Sequence, residues 1–277
     1  LWTNPAKPTD LFGSYDLAAG RVTLTGKAPK ADGGTPVLYY TATAWQGTTS
    51  QTMRTTAGSF TFSGLDPKNG PVYFTVTASN FAGTSPVASL LLGTDGQPID
   101  LNTRATAITR DGTWVIGDGF DKLGQTYSWE ALGSGKPIPF GYTAFHLGSP
   151  NQPGAIIPRG QTIPVPQGDY GTINLAAAAV YYGAQPNVVF KLNYTDGTTG
   201  TWTQSISDWA KPQNFPGEKS LALSYFNKND SNKGQNGVYL YGYSQALEKG
   251  KVLESITLPD NSDLRILDIQ MGKSSQW

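Results

Sequence analysis

From Phe190 to Ile206 the side chains alternate as an extended, half-buried hairpin requires. Phe190, Leu192 and Tyr194 are separated by polar residues, an Asp196-Gly197 turn follows, and a return strand runs through Trp202, Gln204 and Ile206. Shorter alternating runs recur along most of the chain, cut at close intervals by turn residues. With 33 Gly and 19 Pro in 277 residues and few helix formers, the chain reads as all-β. Two registers fit the hairpin. A two-residue turn pairs Tyr194 with Thr199 and puts Trp202 on the sheet face away from Phe190 and Leu192. A three-residue loop with Gly197 left-handed pairs Tyr194 with Thr198 and turns Trp202 inward, provided Gln204 finds a buried partner. The core is the preferred place for Trp202.

Charge narrows the function classes. Only 14% of residues are charged and the formal net charge is zero, so no basic stripe exists to displace the counterions of a nucleic acid. The longest apolar run, Ile173 to Tyr182 with Asn174 inside it, is far short of the ~20 residues that a membrane-spanning helix needs. There is no cysteine, hence no disulfide and no thiolate chemistry. A surface rich in Thr, Ser, Asn and Gln and poor in Lys points to an exported bacterial protein. The start at Leu1 rather than Met suggests a mature form or an excised portion.

Residues 16–94 carry strand candidates at Arg21–Thr25, Val37–Ala44, Ser59–Phe62, Val72–Ala78 and Ala88–Leu92, at the spacing of a seven-stranded sandwich. Leu24-Thr25-Gly26-Lys27-Ala28-Pro29, Asp32-Gly33-Gly34-Thr35-Pro36-Val37, Gly64-Leu65-Asp66-Pro67 and Val76-Thr77-Ala78-Ser79-Asn80 with Ala82-Gly83-Thr84-Ser85-Pro86 follow in order. On these residues the segment resembles a bacterial fibronectin type III domain, which implies an immunoglobulin-like sandwich serving as spacer or interaction module. Two positions depart from the family: its strand-B Trp falls on Gly26 and its tyrosine-corner Tyr on Val72. The core is then expected to be filled by Trp45, Tyr40 and Phe74. Residues 1–15 stand outside this unit as an N-terminal segment, a tail or a docked strap.

Gly93-Thr94-Asp95-Gly96-Gln97-Pro98 reads as a linker. Beyond it, residues 98–277 hold roughly ten strand candidates and almost no helix, as in a jelly-roll or related sandwich. The matching stretches are Gly117-Asp118-Gly119-Phe120-Asp121, Tyr127-Ser128, Tyr194-Thr195-Asp196-Gly197-Thr198, Gln204-Ser205-Ile206-Ser207-Asp208-Trp209, Pro216-Gly217-Glu218 and Leu240-Tyr241-Gly242-Tyr243. On them the segment resembles a C-terminal accessory module of secreted bacterial polysaccharide-active or lytic enzymes. That resemblance implies a galactose-binding-like sandwich that holds carbohydrate.

The candidate binding residues lie mostly on one Pro-stiffened loop. An aromatic face meets the C–H side of a pyranose while carboxylates and amides take its hydroxyls. Trp209 would be that platform, with Asp208, Gln204 and Glu218 as hydrogen-bond partners and with Tyr127 or Trp129 contributing a second aromatic. The plainer reading is that Trp209 plugs a sandwich corner and Asp208 caps the following loop. Asp118 and Asp121, near Glu130, are weak candidates for a structural Ca²⁺, although the regular calcium-loop spacing is absent and turn aspartates explain them as well. His146 is the only histidine, so a zinc site or a Ser-His-acid triad has no support.

The reading that follows is a non-enzymatic, secreted pair. A spacer domain precedes a module that binds polysaccharide or oligosaccharide and targets a catalytic domain of the same parent protein, with no cofactor beyond a structural calcium. The alternatives are a scaffold without a glycan ligand and a glycoside hydrolase using two of Asp118, Asp121, Asp208 and Glu218. The first reading requires Trp209 exposed beside a groove. The scaffold requires it buried.

Overall fold

The computed structural model describes residues 2–273 apart from 17, 47, 48, 67, 68, 94–102, 142, 182 and 231. Among these residues there is no α-helix, and the chain divides into two compact units, Leu1–Leu101 and Asn102–Trp277, each with its own apolar core. Apart from Gly93, the expected linker lies outside the described residues.

The first unit has seven strands: β1 (Thr9–Asp16), β2 (Arg21–Lys27), β3 (Tyr39–Gln46), β4 (Thr49–Thr55), β5 (Ser59–Ser63), β6 (Val72–Ser79) and β7 (Ala88–Leu92). They form a three-stranded sheet, β1-β2-β5, and a four-stranded sheet, β4-β3-β6-β7. Alternation sends Val22 and Leu24 of β2, Phe60 and Phe62 of β5, and Val72, Phe74 and Val76 of β6 into one core. Two strands escaped the sequence reading. β1 takes up residues set aside as a terminal segment, pairing Tyr15 with Val22. It reads poorly because Gly13 sits in its middle, where a Cβ would come within 2.7 Å of Leu92 Cδ1. β4 buries none of its side chains and so shows no apolar period.

The expected core composition needs one correction. Phe74 is fully buried and Tyr40 packs against the core, but Trp45 does not enter it. Ala42, Ala44 and Gln46 hold the inward positions of β3, so Trp45 points the other way and lies against Tyr73, ring centroids 5.7 Å apart. Phe60 and Phe62 supply the aromatic volume instead, with Phe62 5.7 Å from Phe74. Inward-facing Gln46 is satisfied by the next loop, its Nε2 donating to the carbonyls of Asp66 (2.6 Å) and Gly70 (2.7 Å).

The second unit opens with short strands: β8 (Arg104–Ala105), β9 (Ile108–Thr109), β10 (Gln125–Ser128), β11 (Ile138–Phe140), β12 (Thr143–Phe145), β13 (Ala155–Ile156) and β14 (Thr162–Pro164). The rest, mostly longer, are β15 (Tyr170–Ala179), β16 (Gln185–Tyr194), β17 (Thr199–Ile206), β18 (Lys219–Leu223), β19 (Phe226–Lys228), β20 (Lys233–Gly234), β21 (Val238–Ala246), β22 (Leu253–Thr257) and β23 (Leu264–Lys273). The two principal layers are a six-stranded sheet, β18-β21-β15-β23-β13-β8, and a four-stranded sheet, β14-β22-β16-β17. A smaller sheet, β20-β19-β10-β9, and the hairpin β11-β12 complete the unit.

The hairpin that opened the sequence argument takes the three-residue register. Phe190 faces Trp202, Tyr194 N–H donates to Thr198 O at 2.9 Å, and Gly197 has φ +82°. Trp202 is therefore buried, and Gln204, at the half-buried end of the strand, finds Ser205 O at 3.0 Å. The apolar run that is too short for a membrane is β15, at the centre of the six-stranded sheet. Ile173 to Ala179 is buried throughout, because both faces of this strand are covered. One face, shared by Leu175 and its ladder partner Tyr243, looks toward the four-stranded sheet. There Tyr243 Oη accepts the N–H of Ser207 just past β17, at 3.0 Å. The other face carries Ala176 and its partner Gly242, on which Phe140 of β11 rests where a Cβ would collide with its ring.

Candidate functional site

The loop expected to bind ligand is instead a packed corner. Trp209 is 4% exposed. Phe120, Tyr127 and Phe226 surround it edge-on at centroid distances of 5.4, 5.5 and 5.5 Å, which leaves no ring face for a sugar. The backbone fixes the corner as well. Trp209 N–H donates to Ala179 O at 2.9 Å, and Tyr239 N–H donates to Trp209 O at 2.6 Å. The expectation of an exposed platform is thus corrected: the segment after β17 returns alongside β15, and its large apolar side chain fills the gap at the sheet's end.

The proposed polar partners are engaged in the same corner. Asp208 caps the loop, its Oδ1 accepting the N–H of Ala210 at 2.8 Å while its carbonyl accepts Tyr241 Oη at 2.7 Å. Glu218 accepts the hydroxyl of Tyr243 at 2.9 Å. Burial raises the phenols of both Tyr241 and Tyr243 far above the ordinary range, with the nearby Glu218 charge adding to it. They stay neutral donors. Tyr127 is fully buried and donates to Tyr239 O at 2.7 Å. Trp129 is half-buried, with the Arg110 guanidinium 5.9 Å from its ring centroid and Gly135 against its edge.

Asp118 and Asp121 offer a Ca²⁺ ion no shell of oxygens. Asp121 Oδ1 accepts two backbone amides, Leu123 at 2.9 Å and Gln125 at 3.0 Å, while Asp118 ties the turn through its carbonyl to Gly124 N–H at 2.9 Å. Burial pushes the Asp121 carboxyl up to about 6, against the opposing pull of those amides and of Arg265. Among the described residues, no group of three or more His, Cys, Asp or Glu could hold a metal ion.

A charged cluster passed over in the sequence lies at β10 and β20. The Asp111 carboxylate receives Ser128 Oγ at 2.6 Å, Tyr225 Oη at 2.9 Å and Lys233 Nζ at 2.5 Å. Partial burial pushes its pKa up, but the bonds from Lys233, Ser128 and Tyr225 outweigh this and hold it at about 2. Ser128 is fully buried, so the cluster ties elements together and presents no nucleophile.

A concave feature of the second unit lies elsewhere, on the outer face of the six-stranded sheet. A cleft of ≈ 440 Å³ is floored by Thr172, Asn174, Ser244, Ala246 and Gly272 and walled by Phe140 and Thr143, with Lys219 and Lys273 also lining it. Ladder pairing brings the floor together: Thr172 stands opposite Ala246 and Gly272, and Asn174 opposite Ser244. Gly272 keeps the floor open, because a Cβ there would run into Thr172 Oγ1. Asn174, though nearly buried, is held by its amide nitrogen, donating to Thr172 Oγ1 and Gln270 O at 3.2 Å each. Its Oδ1 takes no donor among the described residues, and the Thr172 hydroxyl proton stays free. Lys219 pairs with Gly242 and so shares the outer face, its Nζ 5.4 Å from the Phe140 ring centroid.

None of the six expected binding residues lines this cleft, nor does any of the four carboxylates considered for acid–base chemistry. The one signal in the sequence was Asn174, a polar residue inside an otherwise apolar strand. Beyond Thr172 of the same strand, the rest of the floor comes from β21 and β23, both distant in sequence.

The comparisons bear on fold and family. No curated protein matches the chain. Among solved structures it is similar to a human FNIII domain, the fourth of its protein, at 19% identity over 34% of this chain and 81% of that one, with a TM-score of 0.30. A myokine structure shares 17% identity over 32% of this chain and 97% of its own, with a TM-score of 0.27. A titin fragment shares 20% identity over 35% of this chain and 32% of its own, with a TM-score of 0.28. Scores this low carry no argument about role. The match across the second unit is of another kind, because a family model described as the AziU2-like β-sandwich domain covers residues 95–275, well over half of the sequence, and the chain therefore belongs to that family.

Proposed function

We propose that this is a non-catalytic binding region whose second unit holds a glycan in the outer-face cleft, with the first unit as spacer. The observation that supports the reading is the free hydrogen-bonding capacity of the floor. Asn174 Oδ1, the Thr172 hydroxyl and the Ser244 hydroxyl lie together on paired strands beside the Phe140 wall. Fixed acceptors and donors on a sheet suit a ligand that presents many hydroxyls, and the strands hold them in place without a loop closing. A shallow cleft removes little surface from water, so affinity is modest, and its use is to concentrate a tethered neighbour on an extracellular polysaccharide. The charge-balanced sequence, rich in Thr, Ser, Asn and Gln, agrees with a place outside the cell.

The test is retention of the chain on a panel of immobilised polysaccharides beside Ser244→Trp. Ser244 is exposed, so the bulky side chain fills the cleft and leaves the core alone. Selective retention of the wild type, lost in the folded variant, supports the cleft. Retention unchanged by Ser244→Trp removes it.

One observation favours a second reading, a scaffold or protein-interaction region without a glycan. Trp209 is buried, as a scaffold requires. The first unit in addition exposes Trp2 (62%) and Phe81 (69%), ring centroids 6.0 Å apart, as an aromatic pair facing solvent. No retention on any polysaccharide would leave this reading standing.

A further inference from the structure

The charges around the cleft say more about the ligand than its floor does. Lys219 and Lys273 both line it, and no aspartate or glutamate does. In a chain whose acidic and basic residues balance at 20 each, a cleft with two cations and no anion is a local excess. Neither lysine is in an ion pair among the described residues. Of the carboxylates nearest in sequence and register, Glu218 and Asp268 are engaged elsewhere, while exposed Asp169, one residue before Lys273's ladder partner Tyr170, does not line the cleft. Glu218, beside Lys219, accepts the Tyr243 hydroxyl on the opposite face of the strand. Asp268 lies on the outer face next to Gln270, but its oxygens accept His146 N–H at 2.7 Å, Ile269 N–H at 2.9 Å and Gln270 Nε2 at 2.9 Å.

We propose that the cleft selects an acidic saccharide, with Lys219 and Lys273 taking its carboxylate or sulfate groups while Thr172, Asn174 and Ser244 take its hydroxyls. This rests on the cleft being the binding site, as argued above. A peptide fits less well. β15 is paired on both sides, by β21 and β23, so the floor offers no open strand edge to extend. The floor's polar groups, the Thr172 and Ser244 hydroxyls and the Asn174 amide, lie beside apolar Ala246 and Phe140, the mixed lining that suits a sugar with a C–H face and several hydroxyls. Lysine ammoniums act as mobile point charges, which suits anionic groups spaced along a chain better than one planar group held by a fork.

Calorimetric titration of the whole chain with oligogalacturonate, and with the same oligomer fully methyl-esterified, separates charge from shape. A sulfated oligosaccharide of similar length distinguishes sulfate from carboxylate. At least one acidic oligomer is expected to bind about tenfold or more tighter than the esterified one. Raising the salt to 1 M, where screening acts within about 3 Å, should erase most of that preference. The double variant Lys219→Gln/Lys273→Gln should bind acidic and neutral oligomers alike. Both lysines are exposed, so these changes leave the fold intact. Equal affinity of the wild type for charged and esterified oligomers, blocked by Ser244→Trp, would overturn the charge proposal and keep the cleft. No binding of any oligomer to the folded chain would overturn both.

Discussion

At the scale of single residues, hydrogen bonds decide which polar groups are free to act. Asp208 and Glu218 look available in the sequence, yet each already serves a backbone amide or a buried phenol. Trp209→Ala should therefore damage the fold rather than a ligand site. Removal of a buried Trp costs about 3–5 kcal/mol, and a chemical denaturation midpoint shifted to match, with loss of the near-ultraviolet aromatic signal, would show it. A variant as stable as wild type would contradict the packed corner. Asp121 gives a pH prediction. Its folded pKa of about 6 lies above the ordinary 3.8, so its contribution is most favourable below about pH 4 and is lost as pH rises through 6. Asp121→Asn keeps the acceptor for Leu123 and Gln125 and should flatten that decline, read as the difference in unfolding midpoints between pH 4 and 7. Asp111 has the opposite sign. Held at about 2, it stabilises above about pH 4 and loses that contribution only as pH falls toward 2, so Asp111→Asn should weaken the protein at neutral pH and matter least in strong acid.

At the scale of elements, glycines mark where geometry leaves no choice. Gly197 closes the β16–β17 hairpin at φ +82°, and Gly197→Ala should cost about 1 kcal/mol, a fall of about 3 °C in Tm, with the register unchanged. Gly242 is different: its φ is ordinary, but Phe140 occupies the space of its missing Cβ. Gly242→Ala should push the β11–β12 hairpin off the sheet and open the cleft wall, seen as lost glycan retention in a protein that still melts cooperatively. The sequence revealed the first glycine, because Asp-Gly between alternating runs is a local signal. It could not reveal the second, whose constraint comes from a ring about a hundred residues away.

At the scale of the whole molecule, two cores imply two folding units. Pieces 1–101 and 102–277 are each expected to fold alone, giving separate cooperative transitions by circular dichroism. A first piece that stays unfolded would refute this. Patterning within each segment determined the β class, the inward face of most strands and the two registers open to the central hairpin, because alternation and turn chemistry are local properties of a chain. It missed β4, which buries nothing, and β1, interrupted by Gly13, in the first unit, and the short β10, β12 and β20 in the second. The choice between hairpin registers, the burial of Trp209 and the place of the cleft were settled only by tertiary structure. Trp209 looks the same in sequence whether exposed or buried, and Phe120, Tyr127 and Phe226 decide the matter. The cleft floor joins β15, β21 and β23, and only their lateral pairing brings Thr172, Asn174, Ser244 and Gly272 onto one surface.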